Sequence, residues 1–345
     1  MNQAAARAIK NKGIIKCRGI SFDYPGIFKR KVLPMKIFES LNLKHPIIQG
    51  GMAVRVSTAP LAGAVAAAGG VGIIAATGMS VGELRKEIRE ARKIALNGII
   101  GVNVMYAVRD FAELVKASLQ EKVDLVISGA GFSRDIFGWG KEAGIPIFTI
   151  VSTARLAKIA EKYGASAVVA EGTEAGGHLG TERPTKEILP EIKGTVKIPV
   201  IAAGGITDKE DIKEMMGLGA DGVQMATRFV LSKECTVAES FKIHYLNAAK
   251  NDVVIINSPV GLPGRAIRNV FSEALSRGES PDITCNDCLK TCSKEYCILE
   301  ALENSRLGNL DRGPVFSGQN VYKIKEILPV KSIFESLTRA FCTYA

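Results

Sequence analysis

Short apolar runs rich in Ile, Val and Ala recur along the chain, and each is followed by a stretch whose apolar positions repeat at helical spacing. The runs cover 46–50, 71–77, 98–105, 123–129, 145–151, 165–172, 198–205 and 220–229. Their helical partners include the Ala-rich segment from Thr58, "SVGELRKEIREARKIAL", "DFAELVKASLQ", "STARLAKIAEKYG", "TDKEDIKEMMGLG" and a last helix around 237–249. Ser80 followed by Glu83 makes a capping box for the second of these. Strands that are apolar on both faces belong in a parallel sheet covered by helices. Eight β/α units within roughly 200 residues predict a TIM (β/α)8 barrel. A doubly wound parallel sheet is the alternative.

In a barrel the active site lies at the C-terminal ends of the strands. Those ends hold Gly50, Gly51 and Met52, then Asn103, the segment 171–178, Gly204-Gly205, and Ala226-Thr227. Glycine lets a ligand reach backbone N–H groups. Any single Gly-Gly pair is explained by a tight turn. The whole set, each member at a predicted strand end, favours a phosphate-bearing cofactor, with the phosphate after the seventh and eighth strands. No GxxxxGK[ST] sequence is present, which argues against a P-loop nucleotide site. His178, one of three histidines, follows Gly176 and Gly177. A neutral imidazole there is a candidate general base, against the plainer reading of a structural hydrogen-bonding residue. His45 and His244 read as structural.

Charge and composition narrow the choice. The formal net charge is +10, yet residues 1–34 hold eight Lys/Arg and only Asp23 as an acid, which is +7. The remaining +3 leaves the body nearly balanced, so the basic excess is an N-terminal arm. With aromatics at 6%, a nucleic-acid partner is not expected. The uncharged stretch 56–82 is broken by Gly69-Gly70 and reads as two buried elements, so no membrane partner is expected either. The expected organisation is an arm over 1–34, a barrel over 35–250 and a C-terminal segment over 251–345 packed on it. No secretory signal is legible, so a cytoplasmic protein is expected. The oligomeric state, a homodimer included, stays open.

Outside the barrel, "CNDCLKTCSKEYC" sets Cys285, Cys288, Cys292 and Cys297 in one compact run. Four thiolates so spaced suit a 4Fe-4S cluster, less well a zinc ion, or stand unligated.

The ordered motifs "PIIQGGMA", "GVNVM", "AEGTEAGGHLG", "VIAAGGI" and "GVQMATRF" resemble those of the nitronate monooxygenase (2-nitropropane dioxygenase) family, FMN-dependent TIM-barrel oxidoreductases. The superfamily also contains the flavin-dependent bacterial enoyl-ACP reductases. The resemblance implies that Gly50, Gly51, Met52 and Asn103 lie against the isoalloxazine. It implies that Gly176, Gly177, Gly204, Ala226 and Thr227 hold the ribityl chain and phosphate, and that His178 faces a small-molecule substrate. Ala226 stands where many relatives have Gly, a change that keeps the backbone donor. Three readings follow. One is oxidation of nitronates or nitroalkanes with oxygen. Another is NAD(P)H-dependent reduction of a conjugated double bond such as enoyl-ACP. The third is a non-catalytic flavin or iron–sulfur redox protein.

Overall fold

The computed structural model describes residue 41 and residues 43–279 and 285–341. The basic arm 1–34 lies outside the described residues. Eight parallel strands close into a barrel: β1 (Ile47–Gln49), β2 (Val71–Ala75), β3 (Ile99–Met105), β4 (Leu125–Gly129), β5 (Ile147–Val151), β6 (Ala167–Glu171), β8 (Val200–Ala203) and β9 (Gly222–Met225). The extra strand β7 (Gly177–His178) stands off the barrel. Helices α1 (Ala59–Ala67), α2 (Val81–Ile94), α3 (Phe111–Gln120), α4 (Asp135–Ala143), α5 (Ala154–Tyr163), α6 (Thr185–Thr195) and α7 (Lys209–Gly217) wrap it. The stretch 56–82 resolves into α1 and β2, as its glycine break implies. Among the described residues no helix is long and apolar enough to cross a membrane.

Local chemistry explains the elements. The Ser80 hydroxyl accepts from the Glu83 amide at 3.2 Å and starts α2. The Glu83 carboxylate reaches across to Arg55 at 2.6 Å, which holds its pKa below the ordinary value. Strand β1 is short, and the buried Gln49 side chain extends its contact with β2 by accepting from the Ile73 amide at 3.1 Å. Alternate residues of the strands fill the barrel interior, among them Ile48, Ile73, Leu125, Phe148, Val169 and Ile201.

Two expectations need correction. The eighth run does not stay extended to Phe229: β9 stops at Met225, and Thr227–Val230 forms the short helix α8. Turning the chain there brings Ala226 and Thr227 to the rim. The helix near the end of that unit exists as α9 (Glu239–Asn247), but it does not complete the outer ring. After α10 (Val270–Ser276) and α11 (Ile298–Arg306), the helix α12 (Val330–Leu337) packs between α7 and α1. Phe334 of α12 sits where Gly70 has no side chain: a Cβ on Gly70 would meet its ring at 2.4 Å.

A small second sheet covers the mouth. Strands β10 (Val253–Asn257) and β11 (Pro263–Ile267) form an antiparallel hairpin, and the far edge of β11 pairs with β12 (Val315–Phe316) and with β7.

Candidate active site

One cavity occupies the C-terminal mouth of the barrel. Gly50, Gly51, Met52, Asn103, Gly176, Gly177, His178, Gly204, Ala226 and Thr227 all line it. The structure therefore brings together every barrel residue that the sequence singled out.

The floor follows from strand periodicity. The last inward-facing residue of each strand closes the barrel interior. At this level stand Gly50, Asn103, Gly129, Ile150, Glu171, Ala203 and Gln224. Most are small or apolar, and three are polar. Asn103 donates through Nδ2 to the Ile127 carbonyl at 3.3 Å. Gly51 must be glycine here, because a Cβ would meet Asn103 Cβ at 2.4 Å. Gln224 presents a buried Oε1 with no hydrogen-bond partner. The Glu171 carboxyl makes no hydrogen bond or ion pair with any described residue. Burial pushes its carboxyl up to about 7. Glu174, three residues on, is engaged: its Oε2 accepts from the Thr185 amide at 2.9 Å, at the first residue of α6.

Over β8 and β9 the wall is main chain. Gly204 and Gly205 have φ of +107° and +73°, a conformation that favours glycine. The Thr227 hydroxyl accepts from the Gly318 amide at 3.0 Å, which leaves its own hydrogen free. Asn320 donates to the Gly205 carbonyl at 2.7 Å. An orphaned amide oxygen on the floor and a glycine-built rim suit a flat ring carrying a phosphate tail. These residues fit FMN: Asn103 and Gln224 toward the ring, and the Gly204, Ala226 and Thr227 backbone toward the phosphate.

His178 lies at the opposite end. Its Nε2 is 2.7 Å from Ser258 Oγ, and its ring meets Phe316 edge-on at 5.2 Å. Desolvation lowers its pKa to about 4, so the imidazole is neutral at physiological pH. Pairing of β7 with Gly264 and Arg265 fixes the loop that carries it. The glycines before it have an additional role. A Cβ on Gly176 would meet Ser317 C at 2.5 Å and Gly318 N at 2.6 Å. What approaches that backbone is thus the chain's own C-terminal segment. Tyr245 donates its hydroxyl to the Phe316 carbonyl and holds the same segment down.

Beyond His178 the cavity is walled by Ile298, Leu299 and Leu302 of α11, with Val56, Phe241 and Pro314. Ser258, Gln224, Tyr245, Phe316, Gly318 and Asn320 were not picked out from the sequence. The strand alternation itself would have found Gln224. His45 and His244 do not line the cavity, and each leaves a buried ring nitrogen without a partner.

The structure does not support the expected metal centre at the cysteine run. Among the described residues no three Cys, His, Asp or Glu side chains stand where they could hold a metal ion. Cys285 is exposed and Cys297 buried, while burial and the neighbouring Cys297 push the Cys288 thiol up to about 12. The geometry gives no support to iron–sulfur or zinc at Cys285, Cys288, Cys292 and Cys297. The segment instead straps the mouth: Arg109 N donates to Cys288 O at 3.1 Å, and the Lys290 ammonium lies 3.8 Å from the Tyr106 ring centre. Cys297 then leads directly into α11.

The sequence profile of nitronate monooxygenase matches residues 35–116 and 96–340. A probable nitronate monooxygenase of Staphylococcus aureus (strain JH9) is 31% identical over 333 residues, covering 83% of this chain and 91% of that protein. A (3aS,4S,5R,7aS)-5-hydroxy-7a-methyl-1-oxo-octahydro-1H-indene-4-carboxyl-CoA dehydrogenase of Mycobacterium tuberculosis (strain ATCC 25618 / H37Rv) is 32% identical over 243 residues, 70% of this chain and 68% of that one. Among solved structures, FabK from Thermotoga maritima superposes with a TM-score of 0.79 at 35% identity, over 89% of this chain and 95% of that chain. With its barrel, its strand-end glycines and a profile match along most of its length, this chain belongs to the nitronate monooxygenase family of oxidoreductases.

Proposed function

We propose that the protein binds one FMN per chain non-covalently and oxidises alkyl nitronates, giving a carbonyl compound and nitrite with oxygen as acceptor. The observation that carries this reading is the convergence of His178, the glycine rim and the polar floor on one cavity. The 31% identity to probable nitronate monooxygenases supports the substrate class. Bound FMN would supply a two-electron acceptor beside the substrate carbon.

The chain's own residues bind, orient and handle the proton. Backbone amides at Gly204, Ala226 and Thr227 would hold the phosphate, and Gln224 Oε1 would accept a ring N–H. When His178 gives its Nε2 hydrogen to Ser258, Nδ1 keeps a lone pair for a substrate proton. A base whose conjugate acid has a pKa of about 4 is weak. A neutral nitroalkane therefore turns over slowly and depends on His178 for removal of its proton, whereas an already formed nitronate needs only a hydrogen bond.

A second reading is reduction of a conjugated double bond, such as that of an enoyl thioester, with NAD(P)H. One observation favours it: the apolar wall of α11 extends the cavity further than a small nitronate would fill. The 35% identity to FabK is in line with it. Anaerobic stopped-flow mixing separates the readings. Bleaching of the flavin by an alkyl nitronate alone is expected. Bleaching by NADH or NADPH, with none by nitronate, would replace the first reading by the second.

A further inference from the structure

Glu171, the last residue of β6, and Glu174, three residues on, meet opposite fates. Glu174 is held by the Thr185 amide. Glu171 ends β6, faces the barrel axis in the polar layer with Asn103 and Gln224, and has no partner. The charged groups near it are all turned elsewhere. His178 goes to Ser258, Glu174 to Thr185, and Arg265 donates to the Thr173 carbonyl at 3.0 Å. The flanking strands β5 and β8 end in Val151 and Ala203 and bring no charge.

The geometry points to Glu171 as a neutral carboxylic acid that donates a hydrogen bond to bound FMN, so that cofactor binding takes up a proton at this residue. The proposal rests on the FMN reading above. The isoalloxazine ring offers several acceptors, its carbonyl oxygens and N1 and N5, but one N–H. A carboxylate sealed under it would lose its water and gain at most that one donor, while a buried charge needs several. A carboxylic acid finds an acceptor and leaves no charge uncompensated. The direction of the shift in the free protein, upward by burial, agrees. Glu171 is on this account a cofactor-contacting acid that couples FMN affinity to pH.

The test is an FMN titration of flavin-stripped full-length protein by fluorescence quenching from pH 6 to 9, for wild type and Glu171→Gln. The amide mimics the neutral acid. Wild-type Kd should rise about tenfold per pH unit above about 7, while the variant stays level and matches wild type at pH 6. Identical pH profiles, or wild-type affinity that improves with pH, overturn the proposal. If neither protein binds FMN at any pH while both keep their circular dichroism, the FMN reading itself falls. Calorimetry on wild type alone, in two buffers of different ionisation enthalpy at pH 8, gives a second readout. Uptake of close to one proton is expected with FMN and equally with riboflavin, which has no phosphate. No uptake, or uptake with FMN alone, overturns the proposal.

Discussion

Over β8 and β9, the cavity wall is main chain bent by Gly204 and Gly205, with the Thr227 hydroxyl as the one side chain that ties it to Gly318. Over β6 and β7, it is side chains: His178, Ser258, Phe316 and the apolar face of α11. On the FMN reading, the first end would recognise a group shared by many ligands, for which backbone amides suffice. The second would then discriminate substrates, and it draws Ser258, Phe316 and α11 from the segment after the barrel. A backbone-built site tolerates exchange of side chains and fails when a Cβ is added. A side-chain-built site behaves in the opposite way.

The comparison can be broken at four points. The largest effect is expected for His178→Asn: turnover of neutral nitroalkane should fall by about 10²–10⁴, and turnover of preformed nitronate much less, with FMN retained. Steady-state rates on both substrates with a flavin-replete variant check this; equal losses would remove His178 as a base. Gly176→Ala comes next. Its Cβ meets Ser317 C at 2.5 Å, backbone that cannot rotate away, and a cost of about 1–3 kcal/mol or more is expected as a lower Tm with weakened FMN. Thr227→Ala should weaken FMN by about 1.5–3 kcal/mol, the worth of a hydroxyl bond to a charged group, read as Kd. Ser258→Ala should cost about 0.5–1.5 kcal/mol in the transition state of nitroalkane turnover, because the imidazole loses the partner that fixes its tautomer.

Acid stability sharpens the same contrast. His178 is neutral when folded down to about pH 4, whereas the unfolded chain protonates it near 6.5. Between those values the unfolded state binds more protons, so His178 makes stability fall as pH drops from 6.5 toward 4. Glu171 acts the other way. Its folded pKa of about 7 lies above the ordinary value of 4.5, so its contribution is complete below 4.5 and is lost as pH rises toward 7. Melting curves of the flavin-free protein should be nearly flat where the windows overlap. In Glu171→Gln they should slope upward with pH through that interval.

Much of this was legible in the sequence because barrel strands are local signals: a β-branched run, a glycine, a capping residue. The ten barrel positions marked in advance were strand ends, and strand ends converge whatever the side chains are. Gln224 was readable too, two residues after Gly222 on the inward face of β9. What stayed hidden depended on distant pairing. Nothing in "EAGGHLG" says that His178 will meet Ser258, 80 residues on, or that Gly176 makes room for Ser317. The cysteine run misled for the same reason. Its spacing is compatible with a metal, but it does not announce that the same strap pairs Leu289 with the distant Val108.

The position of α12 bears on how the protein is made. The ring of helices has a gap between α7 and α1 until residues 330–337 arrive, and His178 lacks Ser258 and Phe316 until the hairpin and β12 are in place. A ribosome that has released everything through α8 has therefore produced a barrel with an uncovered seam beside β1, lined by Gly70 and the Phe229 ring. Contacts that join chain segments so far apart form slowly. Until the tail has docked this seam stays open, and activity should appear only afterwards.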